Sequence, residues 1–93
     1  MEDKITKEKL EKYGNLTEKA LEMAKKSVAK GSEKDAREII QMVDNYVSDA
    51  RYFKKNGDYV NSFAALNYAH GWLDSGARLG IFNVKDNKLF TIK

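Results

Sequence analysis

The chain has 93 residues, of which 42% are hydrophobic and 33% are charged. This length predicts a single small domain over residues 1–93, and this balance is typical of a folded globular protein rather than a disordered one. The absence of cysteine excludes disulfides, thiolate metal sites and cysteine nucleophiles. The 17 basic and 14 acidic residues give a net charge of +3 and are mostly interspersed, whereas a nucleic-acid-binding protein usually concentrates its positive charge on one face.

The first residues of the chain lack the apolar stretch of a signal peptide. No window of the sequence approaches the roughly 20 consecutive apolar residues that a membrane-spanning helix needs. We therefore expect a cytoplasmic protein that does not interact with a membrane.

Residues 6–30 form the first predicted helix. Apolar or small residues recur there at intervals of three and four, beginning with Leu10, which indicates one buried helix face. Gly14 lies within this pattern and costs about 1 kcal/mol relative to alanine, so we expect fraying or a bend near it. Gly31 suits the left-handed position that ends a helix, and Ser32 suits the N-cap of the next one.

Residues 33–55 and 59–79 form the second and third predicted helices. Gly57 is a stop signal between them, Asp58 is suited to cap the third helix, and Gly80 ends it. The third helix is apolar or small around most of its circumference, which predicts contacts on two sides. Because the connections are short, neighbouring helices should be antiparallel. The predicted fold is an all-α, antiparallel three-helix bundle.

The tail, residues 81–93, changes from helical spacing to alternation. Phe82 and Val84 alternate with other residues, as do Phe90 and Ile92, which predicts a short C-terminal β-hairpin. An isolated hairpin is only marginally stable in water. We therefore expect the hairpin to lay its aromatic side chains against the bundle or against a partner chain.

Four short motifs in the segment 44–82 resemble a known family. They are Tyr46-x-x-Asp49-Ala50 with Phe53, the Gly57-Asp58 turn, Ala65-x-x-Tyr68-Ala69-x-Gly71, and Trp72-Leu73-Asp74 followed by Arg78-x-Gly80. This part of the chain resembles a family of short archaeal proteins known as domain of unknown function 357. The resemblance implies a small helical domain and an archaeal, cytoplasmic setting. It implies no reaction and supplies no catalytic residues.

His70, Asp74 and Arg78 follow one another at intervals of four residues, so they project from nearly the same side of the third helix. One hypothesis is a ligand or acid–base site, with His70 as base or ligand and Asp74 as its carboxylate partner. A zinc site would need at least three protein ligands, and the chain has one histidine and no cysteine. We favour the alternative, a surface ion pair between Asp74 and Arg78 beside a partly buried, hydrogen-bonded His70.

Tyr46, Asp49 and Tyr68 are expected to meet where the second and third helices pack. A carboxylate that accepts hydrogen bonds from tyrosine hydroxyls would satisfy polar groups at the edge of the core. The alternative is a small polar pocket that orients a ligand. We favour the structural interpretation.

A row of small residues on the third helix would allow another helix to approach closely. The row, which also includes one tryptophan, comprises Ser62, Ala65, Ala69, Trp72 and Gly76. The approaching helix belongs either to this chain or to a second copy across a dimer interface. Trp72 is the candidate contact residue because tryptophan is enriched among binding hot spots, although an ordinary core position explains it equally well.

Arg51, Lys54 and Lys55 form a basic cluster near the end of the second helix, with Tyr52 and Tyr59 close in sequence. Phosphate contacts combined with aromatic stacking would suit RNA. Cations also stabilise the negative end of a helix, and we favour that role.

Three functional hypotheses follow, in order of preference. The first is a protein–protein interaction or assembly module, with a homodimer as one form. The second is an RNA-binding accessory protein, and the third is a small-ligand binder or metal-dependent enzyme that uses His70 and Asp74. The sequence contains no phosphate loop, dinucleotide fingerprint, nucleophile elbow or zinc-ligand spacing. We therefore expect neither an enzymatic activity nor a cofactor or metal.

Overall fold

The computed structural model describes residues 4–86 and 88–90, and its regular structure is three packed α-helices. Helix α1 spans Lys7–Lys25, α2 spans Glu33–Lys55 and α3 spans Tyr59–Arg78. Both α1 and α2 pack mainly on α3 and touch one another much less. The prediction of an all-α, three-helix protein is confirmed, and the central place of α3 explains why most of its circumference is apolar.

The starts of α2 and α3 are stabilised in different ways. At α3, the Asp58 carboxylate accepts the backbone N–H of Asn61 at 3.1 Å, as the sequence predicted for an N-cap. At α2, Ser32 makes no side-chain capping bond. The Glu33 carboxylate instead accepts the N–H of Gly31 at 3.1 Å. The backbone N–H of Glu33 itself, followed by that of Gly31, holds the pKa of Glu33 below its ordinary value.

The end of α3 turns the chain back toward the bundle. The N–H of Gly80 donates to the carbonyl of Ala77 at 3.2 Å, and the N–H of Ile81 donates to the carbonyl of Gly76 at 2.9 Å. This pair of bonds defines a Schellman motif, which needs a left-handed residue, and Gly80 has φ of +77°. The motif directs residues 81 and 82 against the last turn of α3.

Helix α1 ends at Lys25, earlier than the predicted end at residue 30. Residues 27–29 pair with the start of the tail instead: Ala29 N–H donates to the Ile81 carbonyl at 2.9 Å. An isolated antiparallel bridge joins the neighbouring residues 28 and 82. The expected fraying at Gly14 is not found, because α1 continues through that position without a break.

The described tail residues, 81–86 and 88–90, contain no strand, so the structure does not support the C-terminal hairpin. Ile92, on which part of that prediction rested, lies outside the described residues. The alternation instead reflects two aromatic side chains that enter the core: Phe82 and Phe90 are both almost fully buried. The tail packs as an irregular segment, as far as it is described.

The buried residues form two clusters at opposite ends of the bundle, and only one of them includes the tail. We call the first the tail-supported end; its central members are Leu21, Ala24, Ile39, Val43, Leu73, Phe82 and Phe90. We call the second the open end; its buried members are Leu10, Ala50, Ala65 and Leu66. The open end is completed by four partly buried side chains, Ile5, Tyr13, Tyr59 and Phe63.

Phe82 fixes the identity of a residue on α3. A Cβ atom added at Gly76 would lie 2.5 Å from the Phe82 ring and 3.2 Å from Ile39. The first distance is far below van der Waals contact, so only glycine allows the ring to lie flat on α3. The position of the Phe82 ring in the tail therefore requires a glycine at position 76 of α3.

Candidate functional site

His70 joins three separate segments of the chain. Its Nδ1 atom lies 3.2 Å from the Thr17 hydroxyl of α1, and its Nε2 atom lies 2.7 Å from the Leu89 carbonyl of the tail. The Thr17 hydroxyl is also 3.0 Å from the carbonyl of Tyr13. The Tyr13 ring stacks on the imidazole with centroids 5.7 Å apart. This arrangement matches the partly buried, hydrogen-bonded histidine that we favoured from the sequence.

The hydrogen bonds of His70 restrict its chemistry. A carbonyl oxygen can only accept, so Nε2 carries a proton and donates it to Leu89. Nδ1 faces a hydroxyl that has one proton to share between the ring and the Tyr13 carbonyl. Since both ring nitrogens are engaged within the chain, a substrate or metal could reach His70 only by breaking these contacts.

Asp74 and Arg78 have different surroundings although they share a helix face with His70. Asp74 is partly buried, and its charge acts on Tyr13. Burial first, and the Asp74 carboxylate second, raise the pKa of the Tyr13 hydroxyl above its ordinary value. Arg78 is exposed at the end of α3. Among residues 4–86 and 88–90, no three His, Asp or Glu side chains converge in a way that could hold a metal ion.

Tyr46 and Tyr68 meet as the sequence predicted, but as stacked rings rather than around a carboxylate. Their centroids are 5.4 Å apart and their planes differ by 22°. Asp49 is exposed, and no described hydrogen bond joins it to either tyrosine. Trp72 lies one turn beyond Tyr68 on α3. We call Tyr46, Tyr68 and Trp72 the aromatic face.

The aromatic face is open to solvent. Tyr68 is 64% exposed and Trp72 is 38% exposed. Between them lies Gly71, where an added Cβ would meet nothing within 4 Å. These residues border a shallow depression of about 370 Å³. No Asp, Glu, Lys or Arg occurs in α3 from Tyr59 to Leu73, so this surface is uncharged along most of the helix.

Most of the predicted small-residue row is used inside the chain. Ser62, Ala65, Ala69 and Gly76 are buried, and the Ser62 hydroxyl donates to the Ala50 carbonyl of α2 at 2.6 Å. The row therefore packs against this chain's own α2 and tail. Trp72, which the sequence placed on the same row, is the member that reaches the surface.

The predicted basic cluster is partly neutralised. Arg51 donates to the Glu18 carboxylate, and Lys54 lies 3.4 Å from Glu11, so both cations pair with α1. Lys55 is exposed, and no described carboxylate lies within ion-pair distance of it. Arg51 and Lys54 thus connect α2 to α1, and Lys55 is the member of the cluster that remains exposed.

A surface groove runs between α1 and α2 at the open end, and sequence reasoning missed it. It holds about 290 Å³ and is lined by Leu10, Glu11, Gly14, Asn15, Glu18, Val47, Ala50, Arg51, Lys54, Ser62 and Leu66. Its deepest residues are apolar and nearly fully buried, whereas its rim carries the two ion pairs between the helices. One signal in the sequence could have indicated it: Gly14 lies inside a helix, where a missing side chain leaves space.

Comparison with known proteins places the chain in a family without assigning an activity. A family model described as "Protein of unknown function (DUF357)" matches residues 12–82. The match covers α1 from its second turn, all of α2 and α3, and the first residues of the tail. No curated protein and no solved structure matches. In the described part of the chain, none of the helices is long and apolar enough to cross a membrane.

Proposed function

We propose that this chain, which belongs to the DUF357 family of proteins of unknown function, is a protein-interaction module that uses the aromatic face. The observation that carries the proposal is the pair of exposed rings, Tyr68 and Trp72, one turn apart on an uncharged helix surface. A third of the chain's residues are charged. An uncharged aromatic surface is therefore unusual for this molecule, and exposed apolar patches of this kind mark interaction sites.

A second copy of the chain is the partner that we propose. Each copy has a net charge of +3, so two copies repel least when they meet through an uncharged surface. The aromatic face is such a surface, and Gly71 leaves space in its centre for a ring from the other copy. Two faces related by a two-fold axis would each supply rings and receive them.

The expected dimer is weak. An aromatic side chain contributes about 150–250 Å², so the three rings supply only part of the roughly 800 Å² per partner that a standard interface buries. We expect a dissociation constant between ~10 μM and ~1 mM. Because no charged pair is needed at the contact, added salt should leave the dimer intact or strengthen it.

Sedimentation velocity over a range of concentrations tests the proposal, with two matched tyrosine variants. Tyr68 and Tyr52 are 64% and 65% exposed, and only Tyr68 lies on the aromatic face. Tyr68→Ser should abolish the dimer, whereas Tyr52→Ser should leave it unchanged. Circular dichroism melts of both variants check that the fold is intact. A wild-type chain that stays monomeric at ~1 mM, or equal effects of the two variants, would overturn the proposal.

We also propose an orientation for two of the helices and a cellular setting for the chain. We propose that α1 and α2 run antiparallel, which the order of their ion pairs supports: Glu11 faces Lys54 near one end, and Lys25 lies 3.9 Å from Asp44 near the other. We further propose an archaeal, cytoplasmic setting, which the family resemblance and the absence of cysteine support.

The RNA-binding and enzymatic alternatives have less support. Arg51 and Lys54 are paired with glutamates, so two of the three predicted phosphate contacts are already engaged within the chain. His70 uses both ring nitrogens within the chain. Neither observation favours these functions over an interaction module.

A further inference from the structure

A second, basic depression adjoins the groove at the open end. This depression holds about 550 Å³ and is lined by Lys7, Glu11, Arg51, Lys54, Lys55, Gly57 and Tyr59. Glu11, Arg51 and Lys54 line both spaces, so the two are neighbours. We call the second space the basic basin. The groove and the basin lie away from the aromatic face and share no residue with it.

The basin carries excess positive charge. Four cationic side chains line it and one carboxylate does. Lys54 is paired with Glu11, but no described carboxylate lies within ion-pair distance of Lys7 or Lys55. Lys7 comes from the first turn of α1 and Lys55 from the last turn of α2. The fold therefore brings these two ammonium groups, from distant parts of the chain, close to a groove whose floor is apolar.

The groove differs from the basin because its floor is apolar. Leu10, Val47 and Leu66 are at most 4% exposed and form its walls and floor. The Ser62 hydroxyl in its lining is already bonded to the Ala50 carbonyl, so it offers no unsatisfied donor to a polar ligand. A ligand group that enters the groove gains from contact with carbon rather than from hydrogen bonds.

We propose that the groove and basin together bind an anionic amphiphile, with an apolar chain in the groove and a phosphate or carboxylate head in the basin. The head group pairs with Lys7 and Lys55, neither of which has an ion-pair partner among the described carboxylates. The chain lies along Leu10 and Leu66 beneath the two ion pairs that join α1 to α2. Neither space suffices alone, because the basin is open to water and the two cations at the rim of the groove are already paired with glutamates.

A series of alkyl phosphates tests the proposal by isothermal titration calorimetry below the concentrations at which they form micelles. Inorganic phosphate supplies the head alone, octanol supplies the chain alone, and octyl phosphate supplies both. Octyl phosphate should bind at least tenfold more tightly than either part. Each methylene added between butyl and octyl phosphate should strengthen binding by up to about fourfold, as expected for burial of one CH₂ group. Octyl phosphate that binds no better than inorganic phosphate would overturn the proposal.

Matched variants locate the two halves of the site. The pair Lys7→Gln and Lys55→Gln should weaken octyl phosphate binding at least tenfold. The control pair Lys30→Gln and Lys34→Gln removes the same charge far from the basin and should change binding less than twofold. Equal effects of the two pairs would mean that only net charge matters, which contradicts the proposal.

The groove is tested with a leucine at Gly14, where an added Cβ lies 3.7 Å from Leu66 and the rest of the side chain must occupy the groove. Gly14→Leu should abolish the advantage of octyl phosphate over inorganic phosphate, and Gln41→Leu, at an exposed position of α2 outside both spaces, should keep it. If Gly14→Leu does not fold, the lysine pairs still decide the question. A single-stranded RNA oligonucleotide that displaces octyl phosphate would identify the basin as a polyanion surface and overturn the proposal. These outcomes are independent of dimer formation.

Discussion

The hydrophobic core is completed in different ways at the two ends of the bundle. At the tail-supported end, residues of all three helices surround Phe82 and Phe90, which enter from the tail. At the open end, the small buried cluster is covered by the partly buried side chains of Ile5, which precedes α1, and of Tyr13, Tyr59 and Phe63. The Tyr13 and Phe63 rings are 5.1 Å apart and tilted by 40°. One end is therefore completed from within, and the other leaves a groove.

This difference assigns stability and ligand binding to different ends of the bundle. A ring that fills the core contributes apolar burial and leaves no space for a ligand. A groove gives up that contribution but keeps an apolar surface that a ligand can cover. We infer that the tail-supported end provides most of the stability of this small chain, and that the open end is the part able to bind. His70 lies between them and ties the tail to α1.

The largest expected effect is at the tail-supported end. Phe82 is 1% exposed, so Phe82→Ala should lower the free energy of unfolding by about 3–5 kcal/mol through lost burial and a new cavity. Leu79→Ala is the control, because Leu79 is 74% exposed and its loss should cost less than about 0.5 kcal/mol. Urea unfolding measures both. Similar losses for the two variants would show that the tail does not complete the core.

The next largest change in stability is expected at the two glycines of α3. Gly76→Ala places a methyl group 2.5 Å from the Phe82 ring and should cost about 1–3 kcal/mol as the tail shifts. Gly71→Ala meets open space and should gain up to about 1 kcal/mol, because alanine is the better helix former. The two variants make the same change on one helix, so their opposite signs isolate the contact with the tail. Equal signs would contradict the match between Phe82 and Gly76.

At the open end, the same change at Gly14 should stabilise the protein. A methyl group there would lie 3.7 Å from Leu66, which is an ordinary van der Waals distance. Gly14→Ala should therefore raise the free energy of unfolding by about 1 kcal/mol, the usual gain in helix propensity. Thermal and urea unfolding measure it. A loss in stability would mean that the open end is as tightly packed as the other.

The smallest expected effect is a pH dependence at the start of α2. The lowered pKa of Glu33 means that its ionised form is favoured in the folded state. Its contribution is present above the ordinary pKa of 4.5 and is lost as the pH falls through the lowered value. Glu33→Gln should thus reduce stability slightly at neutral pH and not below that range. A pH series of urea unfolding checks this, and a difference that grows toward acid would contradict it.

Local signals predicted much of the fold. The bounds of α2 and α3 follow from glycine stops and the Asp58 cap, which act through hydrogen bonds within a few residues. The end of α1 could not be predicted in this way. Ser27 and Val28 continue the helical spacing, yet they pair with residues 82 and 83, more than 50 positions along the chain. The hairpin prediction failed for the same reason, since Phe82 pairs with residue 28 rather than within the tail.

The candidate sites also depend on contacts between distant residues, which local signals do not predict. Sequence spacing placed Trp72 on the same row as Ala69 and Gly76. In the structure Trp72 lies at the edge of the buried face and is 38% exposed. Its exposure depends on the position of α2, which helical spacing does not specify. The partners of His70, Thr17 and Leu89, are 53 and 19 residues away in the sequence. The groove depends on how far α1 and α2 stand apart over α3, which no local pattern specifies.

Amide hydrogen exchange under native conditions tests most directly whether the two ends differ in stability. Residues 20–25 of α1 belong to the tail-supported end and residues 10–15 to the open end, within one helix. The amides of residues 20–25 should exchange only through global unfolding, and those of residues 10–15 through a local opening of lower free energy. Equal opening free energies along the whole of α1 would contradict the account.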